Sequence, residues 1–469
     1  MHSLPAPTPA PQPASAREAD GLPVPRRYWA IAAIVLAIAM SVLDGSIANV
    51  ALPTIAHELR TSAANSVWVI NAYQIAILVS LLPLAALGEI IGFRRVSQAG
   101  LAVFTLGSLA CALSPSLLAL VCARVFQGFG AAGIMSVNAA LVRFTYPHRL
   151  LGRAVGINAF AVATSAAIGP TVASAVLAVA QWRWLFAINV PLGIVTLAIA
   201  RHALPFNEGS RRRIDWTSAA LHVGAFGLSL SGLQSLAHSA GGAAAYAQIG
   251  CGALLAVALV RHELERETPL IPFDLLRIRS FSLSIATSVC SFTGQMAALV
   301  ALPFEIERLG HGAVATGLLM TPWPVAVAFA APLAGRLADR FPAGILGGAG
   351  LGVLACGLLL LATFPRGASD FDFIWRMALC GLGFGLFQSP NNRTLIASAP
   401  RARSGAAGGM LSTARLLGQT TGAAGVAILF RTFPRQGSDI ALYGAAAVMT
   451  LAALVSVSRL AAAPAPQDS

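Results

Sequence analysis

The sequence predicts an all-α membrane protein with fourteen transmembrane helices. Only 10% of its 469 residues are charged and 57% are hydrophobic, whereas soluble domains carry about 25% charged residues. Apolar segments of about twenty residues, the length that crosses a bilayer, follow one another along most of the chain. A β-barrel would show short alternating segments instead, so the segments predict helices. A disordered chain and a soluble multidomain enzyme are therefore excluded.

The individual spans can be drawn between charged breaks and breaks rich in Pro or Gly. The first 25 residues are rich in Pro and Ala and lack the apolar stretch of a signal peptide, so we expect a disordered cytoplasmic tail there. The fourteen apolar segments after it lie near 29–51, 65–87, 96–113, 117–140, 154–180, 184–202, 216–237, 245–261, 281–304, 313–335, 343–363, 373–390, 405–430 and 440–458.

The positive charges support the same count of spans. All 31 positive residues are arginines, and with a cytoplasmic N-terminus 22 of them fall in cytoplasmic segments and six in outer loops. This bias matches the positive-inside rule, and an odd number of spans would remove it. We therefore expect a multi-pass protein of the inner (plasma) membrane with both termini in the cytoplasm. The net charge of +13 serves membrane orientation in this interpretation, so we expect no nucleic-acid partner.

Landmark residues of the first half recur in the second half at nearly constant offsets. Glycines of the fifth segment recur in the thirteenth at an offset of 253, and two further landmarks recur at 250 and 252. Six spans need roughly 190 residues at the lengths drawn here, so the offset leaves about 60 residues for two extra helices. The matched pairs are Gly152 and Gly405, Gly156 and Gly409, Gly169 and Gly422, Glu89 and Asp339, and Arg124 and Arg376.

The repeat predicts two six-helix bundles with two helices inserted between them. Parallel six-helix halves with a binding site between them are the plan of major facilitator transporters. Since the repeat is complete without spans seven and eight, we expect these two helices to lie outside the central cavity, with His222 and Gln234 away from it. The predicted units are a tail over 1–27, a bundle over 28–204, an inserted pair over 205–279, a bundle over 280–460 and a tail over 461–469.

Four motifs resemble the fourteen-span drug:proton antiporters of the major facilitator superfamily. The resemblance extends over residues 30–460, although the loop between spans two and three and the segment after Pro170 depart from the family pattern. It implies proton-driven export of drugs by alternating access. The first motif extends from Leu43-Asp44-Gly45-Ser46 to Pro53 in span one, and the second from Arg124 to Gln127-Gly128 in span four. The third is Gly169-Pro170 in span five, and the fourth extends from Trp182-Arg183-Trp184 to Asn189-Val190-Pro191 at the entry to span six.

Asp44 is the predicted proton-coupling residue. It is the only carboxylate well inside the first eight spans, and an ionisable group there is costly unless it has a partner or meets water. Desolvation favours its protonated form and a nearby cation its charged form. Arg124 lies at a similar depth, roughly 10 Å below the outer surface at 1.5 Å per residue, so we expect the two side chains to approach within about 6 Å. Purely structural roles for both residues remain open alternatives.

Other polar residues inside the spans are candidates for substrate binding. Neutral amides and aromatic rings suit lipophilic, often cationic compounds, although such residues also join helices to one another. Arg415, ten residues into span thirteen, is a second deep cation that either repels substrate or packs the bundle, whereas Arg376 is expected to reach the interface. The expected contacts are Trp68, Asn71, Gln74, Gln295, Gln388, Asn391 and Arg415.

Charged loops and a kinked helix are the candidates for gating. A proline removes a backbone hydrogen bond and bends a helix, so Gly169-Pro170 could let span five close one side of the cavity. The loop charges would form latches on the cytoplasmic side, although orientation alone explains the arginines almost as well. These residues are Glu89, Arg94 and Arg95 in the first half and Asp339 and Arg340 in the second. Glu305 and Glu307 are expected at a solvated outer edge, with a proton or cation entry site as the alternative.

The sequence thus predicts a proton-coupled exporter of small amphipathic or cationic compounds, acting as a monomer in the lipid bilayer. No GxxxxGK[ST] motif is present, so ATP is not expected to drive it. The six cysteines lie in apolar segments without metal spacing, and we expect no cofactor, no metal and no enzymatic activity. The alternatives are a proton-coupled symporter or metabolite carrier of the same fold, and a non-transporting membrane sensor.

Overall fold

The computed structural model describes residues 21–147, 150–206, 215–236, 242–264, 266, 273–338, 340–364, 369–399 and 404–459. Every predicted apolar segment overlaps one helix or two consecutive helices. The helices are α1 (Arg26–Glu58), α2 (Ala63–Ser66), α3 (Trp68–Ile91), α4 (Phe93–Ala112), α5 (Leu117–Thr145), α6 (Leu151–Val179), α7 (Arg183–Ala187), α8 (Asn189–Ala203), α9 (Trp216–Leu236), α10 (Ala243–Leu264), α11 (Phe273–Leu276), α12 (Arg279–Arg308), α13 (Ala313–Met320), α14 (Pro322–Leu337), α15 (Ala343–Ala362), α16 (Asp370–Ser398), α17 (Ser404–Thr432) and α18 (Gly437–Ser458).

The chain is a multi-pass membrane protein. Ten helical segments among the described residues are long and apolar enough to cross a membrane, counting α2 with α3, α7 with α8 and α13 with α14 as single segments. Helices α4, α9, α16 and α17 also lie at predicted spans but are not among these ten. The count of fourteen spans and the cytoplasmic position of both termini therefore stay predictions.

Helix packing follows one pattern in both halves of the chain. In the first half, α5 packs against α3 and α4, α6 packs against α1, and α8 packs against α1 and α4. In the second half, α16 packs against α14 and α15, α17 packs against α12, and α18 packs against α12 and α15. Each of the five packed helix pairs of the first half thus has a counterpart in the second half, as the repeat in the sequence predicts. The boundaries of the bundles themselves remain a prediction.

Two landmark glycines bring equivalent helix pairs close together. A Cβ on Gly169 of α6 would overlap Ser46 of α1, and a Cβ on Gly422 of α17 would overlap the Thr293 carbonyl of α12. Glycine removes the side chain that would keep such helices apart, which is a common device of helix packing in membranes. The repeated glycines therefore hold the α1–α6 and α12–α17 pairs in close contact.

The two halves contact each other at the end of the bundle where α1 and α12 finish. A Cβ on Gly317 of α13 would overlap the Pro170 carbonyl and the Ser174 hydroxyl of α6. Beside this contact, the hydroxyl oxygens of Thr171 and Thr321 are hydrogen-bonded at 2.8 Å. One continuous cluster of buried apolar side chains, with members from α1 to α7 and from α12 to α18, joins the halves at this end. In the predicted topology this is the outer side.

The inserted helices α9 and α10 lie against one seam between the halves. Helix α9 packs against α3 and α17, and α10 packs against α9. His222 and Gln234 of α9 are both buried, with the His222 Nε2 at 3.4 Å from the Leu78 carbonyl of α3. Leu254 and Val257 of α10 are exposed, as expected for a lipid-facing helix. That neither helix lines the central cavity remains a prediction.

Candidate functional site

A buried ion pair joins α1 to α5. Arg124 Nη1 of α5 contacts Asp44 Oδ2 of α1, and both side chains are almost completely inaccessible, with Asp44 2% and Arg124 0% exposed. Two neutral amides complete the surroundings of the carboxylate. Gln127 Nε2 donates to Asp44 Oδ1 at 2.8 Å, and Asn189 Nδ2 donates to the same oxygen at 2.9 Å.

The Arg124 guanidinium is fixed by further contacts. Its Nε donates to the Val69 carbonyl at 2.9 Å, and its Nη1 also donates to Gln127 Oε1 at 2.7 Å. The Tyr73 ring lies 4.0 Å from the guanidinium carbon, a distance that allows a cation–π interaction. Among the described residues the buried Nη2 has no hydrogen-bond partner. Contacts from α1, α3 and its own helix α5 therefore hold Arg124, while both N–H donors of Nη2 remain unused among the described residues.

The position of each group follows from the helices that carry it. Arg124 and Gln127 are three residues apart on α5 and so lie on one face, while Asn189 is the first residue of α8. Gln127 is itself oriented, because its Nε2 also donates to the Ser108 hydroxyl of α4 at 2.8 Å. One carboxylate thus accepts hydrogen bonds from α5 and α8, and any change in its charge acts on several helices of the first half.

The contact between Asp44 and Arg124 is present as the matched depths predict, although their part in proton coupling stays a prediction. Gln127 and Asn189 were not predicted as part of the site. Both lie in motifs that carry the family resemblance, and their position in those motifs is the feature of the sequence that could have indicated them as site residues. In the second half Arg376, the counterpart of Arg124 in the repeat, stacks on the rings of Phe364 and Trp375 at 4.9 and 5.3 Å.

Two amides predicted to contact substrate are used in helix packing in this structure. Asn71 is fully buried, and its Nδ2 donates to Gln234 Oε1 of the inserted α9. Asn391 is also buried; its Nδ2 donates to the Ser288 hydroxyl at 2.8 Å and its Oδ1 accepts from Arg459 Nη1 at 2.8 Å. Helical spacing along the sequence does not indicate which neighbour a residue faces, so the packing alternative describes these two residues better.

The other predicted substrate-binding residues have either an unpartnered polar atom or a partly exposed side chain that a substrate could contact. Gln74 is buried, and among the described residues its Oε1 has no hydrogen-bond partner. Trp68, Gln295, Gln388 and Arg415 are partly exposed. These five residues remain candidates for substrate binding.

Two of the predicted latch residues contact backbone carbonyls. Arg94 Nη2 donates to the Arg201 carbonyl at the end of α8, and Arg95 Nη1 donates to the Ile91 carbonyl at 3.2 Å. Asp339 lies outside the described residues, and Arg340 is exposed. A latch formed by these residues with Glu89 therefore remains a prediction, whereas Gly169 and Pro170 lie buried on α6, beside the contact between the halves.

Glu305 is not at a solvated edge, so that expectation was wrong for this residue. It is 4% exposed and accepts from Arg308 Nη2 at 2.6 Å and from the Ser438 hydroxyl of α18 at 2.6 Å. Arg308 also pairs with Asp439 at 3.0 Å. Glu307 is exposed as expected. Of the two partners of Glu305, Ser438 comes from α18, more than 130 residues away, so local sequence could not reveal its burial.

Two equivalently packed helical halves in a membrane protein, with a buried and ion-paired carboxylate, are typical of membrane transporters. The chain belongs to the Major Facilitator Superfamily, whose family model matches residues 34–423. This match covers most of both halves and includes every residue around Asp44.

Three bacterial relatives show how varied the matching transporters are. The chain is 53% identical to the uncharacterized transporter YebQ of Escherichia coli, over 94% of this chain and 98% of that one. It is 29% identical to the riboflavin transporter RibZ of Clostridioides difficile, over 85% and 87%. It is 31% identical to the multidrug resistance protein Stp of Mycobacterium tuberculosis, over 82% and 73%.

Proposed function

We propose that this protein is a proton-coupled antiporter that exports small amphipathic compounds across the inner membrane, as a monomer working by alternating access. The observation that carries the proposal is the Asp44 carboxylate, buried in the bundle and paired with Arg124. An arginine does not titrate under these conditions, so protons would bind and leave at Asp44. The similarity to a multidrug resistance protein supports drugs or other foreign compounds as cargo.

The ion pair provides the energetic link between a proton and a conformation. Two buried charges are tolerated together because each offsets the desolvation cost of the other. Protonating Asp44 removes that compensation and leaves the Arg124 charge without its anion, which favours a rearrangement that gives the guanidinium water or another partner. Gln127 and Asn189, whose amides donate to the same carboxylate oxygen, would lose their charged acceptor in the same step and transmit it to α5 and α8.

Alternating access requires the contact between the halves to open and close. The α6–α13 contact at Gly317, together with the Thr171–Thr321 hydrogen bond, holds the halves together at the predicted outer end. We propose that this end opens when the substrate leaves and that Gly169-Pro170 of α6 provides the bend. Proton entry from the outside would then coincide with substrate release.

A symporter of the same fold is the second candidate, because the riboflavin transporter RibZ is also similar. The two candidates differ in the direction of proton movement. In everted membrane vesicles with an acidic interior, an antiporter supplied with external substrate releases protons from the interior, and a fluorescent ΔpH indicator recovers its signal. A symporter supplied with external substrate gives no such recovery.

The experiment applies a panel of amphipathic anions, cations and neutral compounds to everted vesicles from cells producing the protein. Asp44→Asn is the test variant and Glu305→Gln the matched control, since Glu305 is a buried, arginine-paired carboxylate at the end of α12. We expect recovery with at least one compound for the wild type and the Glu305 variant and none for the Asp44 variant. No recovery with any compound, or full recovery for Asp44→Asn, contradicts the proposal.

A further inference from the structure

Arg415 lies near the middle of α17 without a counter-charge. Among the described residues its side chain has no ion pair, and its buried Nε has no hydrogen-bond partner. Of the 18 Asp and Glu residues in the chain, Asp44 is the one described carboxylate that lies in the central turns of a helix, and Arg124 already neutralises it. An arginine charge in a bilayer is costly unless it meets an anion, a carbonyl or water. Arg415 therefore needs a partner that the described part of the protein does not supply.

Most of the surface of α17 around Arg415 is used for packing. Gly418 and Gly422 press against backbone atoms of α12 in the second half. Leu416 belongs to an apolar cluster with residues of α1 and α3 in the first half. Leu417 packs against the same cluster, which includes Leu230 of the inserted α9.

The helical wheel places Arg415 on the remaining side. At 3.6 residues per turn, Ser412, Arg415 and Gln419 lie between the face that contacts α12 and the face that contacts α3. All three side chains are partly exposed. Because α12 and α3 belong to opposite halves and α9 lies on the far side of α17, this polar face points to the space between the two bundles.

We infer that Arg415 binds an anionic group of the transported molecule, so that the substrates of this antiporter are amphipathic anions such as lipophilic carboxylates. A guanidinium offers paired donors that match a carboxylate. Ser412 and Gln419 add neutral hydrogen-bonding groups about one turn away on either side. This inference rests on the proposed function, since it assigns the cargo of the same central cavity.

The same charges disfavour cationic cargo. With Asp44 paired to Arg124, these two residues add no net charge, and Arg415 leaves the central region with one positive charge. A cation entering this space would be repelled by Arg415, and in a medium of low dielectric constant that repulsion is much stronger than in water. The structure thus favours anions over the cationic compounds that the amides and aromatic rings of the spans suggest.

The test compares three probes that share one apolar ring system: pyrenebutyrate, its methyl ester and pyrenebutyl-trimethylammonium. Binding is measured by fluorescence titration of the purified wild-type protein in nanodiscs at equal pH on both sides, with protein-free nanodiscs subtracted. We expect the carboxylate to bind most tightly and the ammonium most weakly. In Arg415→Gln the carboxylate should bind about tenfold to a hundredfold more weakly, the range for losing a charge-assisted hydrogen bond, while the ester is unaffected.

Two further variants distinguish the effect of the Arg415 charge on binding from a general effect on the fold of removing an arginine. Arg415→Lys retains the positive charge and should keep part of the preference for the carboxylate. Arg376→Gln removes an arginine that stacks on rings near the start of α16 and should leave the preference unchanged. The wild-type ranking tests the inference even if Arg415→Gln does not fold.

The inference is overturned if the wild type binds the ester or the ammonium as tightly as the carboxylate, if it binds none of the three, or if the preference survives in Arg415→Gln. Equilibrium binding needs no proton gradient. A failure of proton coupling in the vesicle assay would therefore refute the proposed function without changing the order of the three affinities.

Discussion

Removing the charge of Arg124 should destabilise the protein by an amount that depends on pH. In Arg124→Gln the Asp44 carboxylate keeps the amides of Gln127 and Asn189 but loses its cation. Breaking a buried ion pair by removing one partner costs about 3–5 kcal/mol. Protonating Asp44 removes the unpaired charge. The stability of the variant at a given pH is therefore set by whichever form, with Asp44 charged or protonated, has the lower free energy.

The magnitude can be worked out from the free energy of protonation. An aspartate in water has a pKa of about 3.9, so protonating it at pH 7 costs about 4 kcal/mol, falling by about 1.4 kcal/mol for each unit of pH. The charged and protonated forms of the variant are therefore similar in cost at pH 7, whereas at pH 5 the protonated form costs only about 1.5 kcal/mol. Because the protonated form becomes more costly to reach as the pH rises, the variant loses stability between pH 5 and about pH 7, where the two forms become similar in cost.

The assay is thermal unfolding of the purified protein in detergent between pH 5 and pH 8. We expect the melting temperature of Arg124→Gln to fall further below that of the wild type as the pH rises. Adding Asp44→Asn removes the unpaired charge and should restore much of the loss at pH 8. Transport by Arg124→Gln, if retained, should have its optimum at higher pH. A deficit that is the same at both ends of the pH range, and that Asp44→Asn does not repair, would refute the reasoning.

Two other predictions concern helix contacts. Asn71→Leu should lower stability by about 1–3 kcal/mol because it removes the Asn71 Nδ2 donor from the buried Gln234 Oε1, and adding Gln234→Leu should recover part of this loss; thermal unfolding measures both. Gly317→Ala should push α13 away from α6, so that a disulfide between cysteines at Thr171 and Thr321 forms much less than in the Gly317 background; the measurement is cross-linking yield under mild oxidation.

Each of these predictions has a control built into the chain. Gly352 lies on α15, where an added Cβ would meet nothing within 4 Å, so Gly352→Ala should leave the cross-linking yield unchanged. Unaltered yield in Gly317→Ala would show that the α6–α13 contact can adjust to a methyl group. Asn71→Leu should not change the affinity for substrate. Weaker binding by this variant would indicate that Asn71 contacts the substrate.

The sequence predicts those features that depend on position along a single helix. The helical segments follow from length and hydropathy, and the approach of Asp44 and Arg124 follows from their equal depths on antiparallel helices. Contacts set by neighbouring helices could not be predicted in this way. The amides of Asn71 and Asn391 have the spacing of a cavity lining but hydrogen-bond to other helices, and the burial of Glu305 depends on a distant helix.

The measurement that tests the central claim most directly separates net transport from exchange at Asp44. Wild-type protein and Asp44→Asn are reconstituted into liposomes and supplied with labelled substrate, once with a pH gradient and once with unlabelled substrate inside and no gradient. The proposal predicts that the wild type performs both processes, whereas Asp44→Asn retains exchange and loses accumulation driven by the gradient. Accumulation by Asp44→Asn at the wild-type rate would contradict the assignment of proton coupling to Asp44.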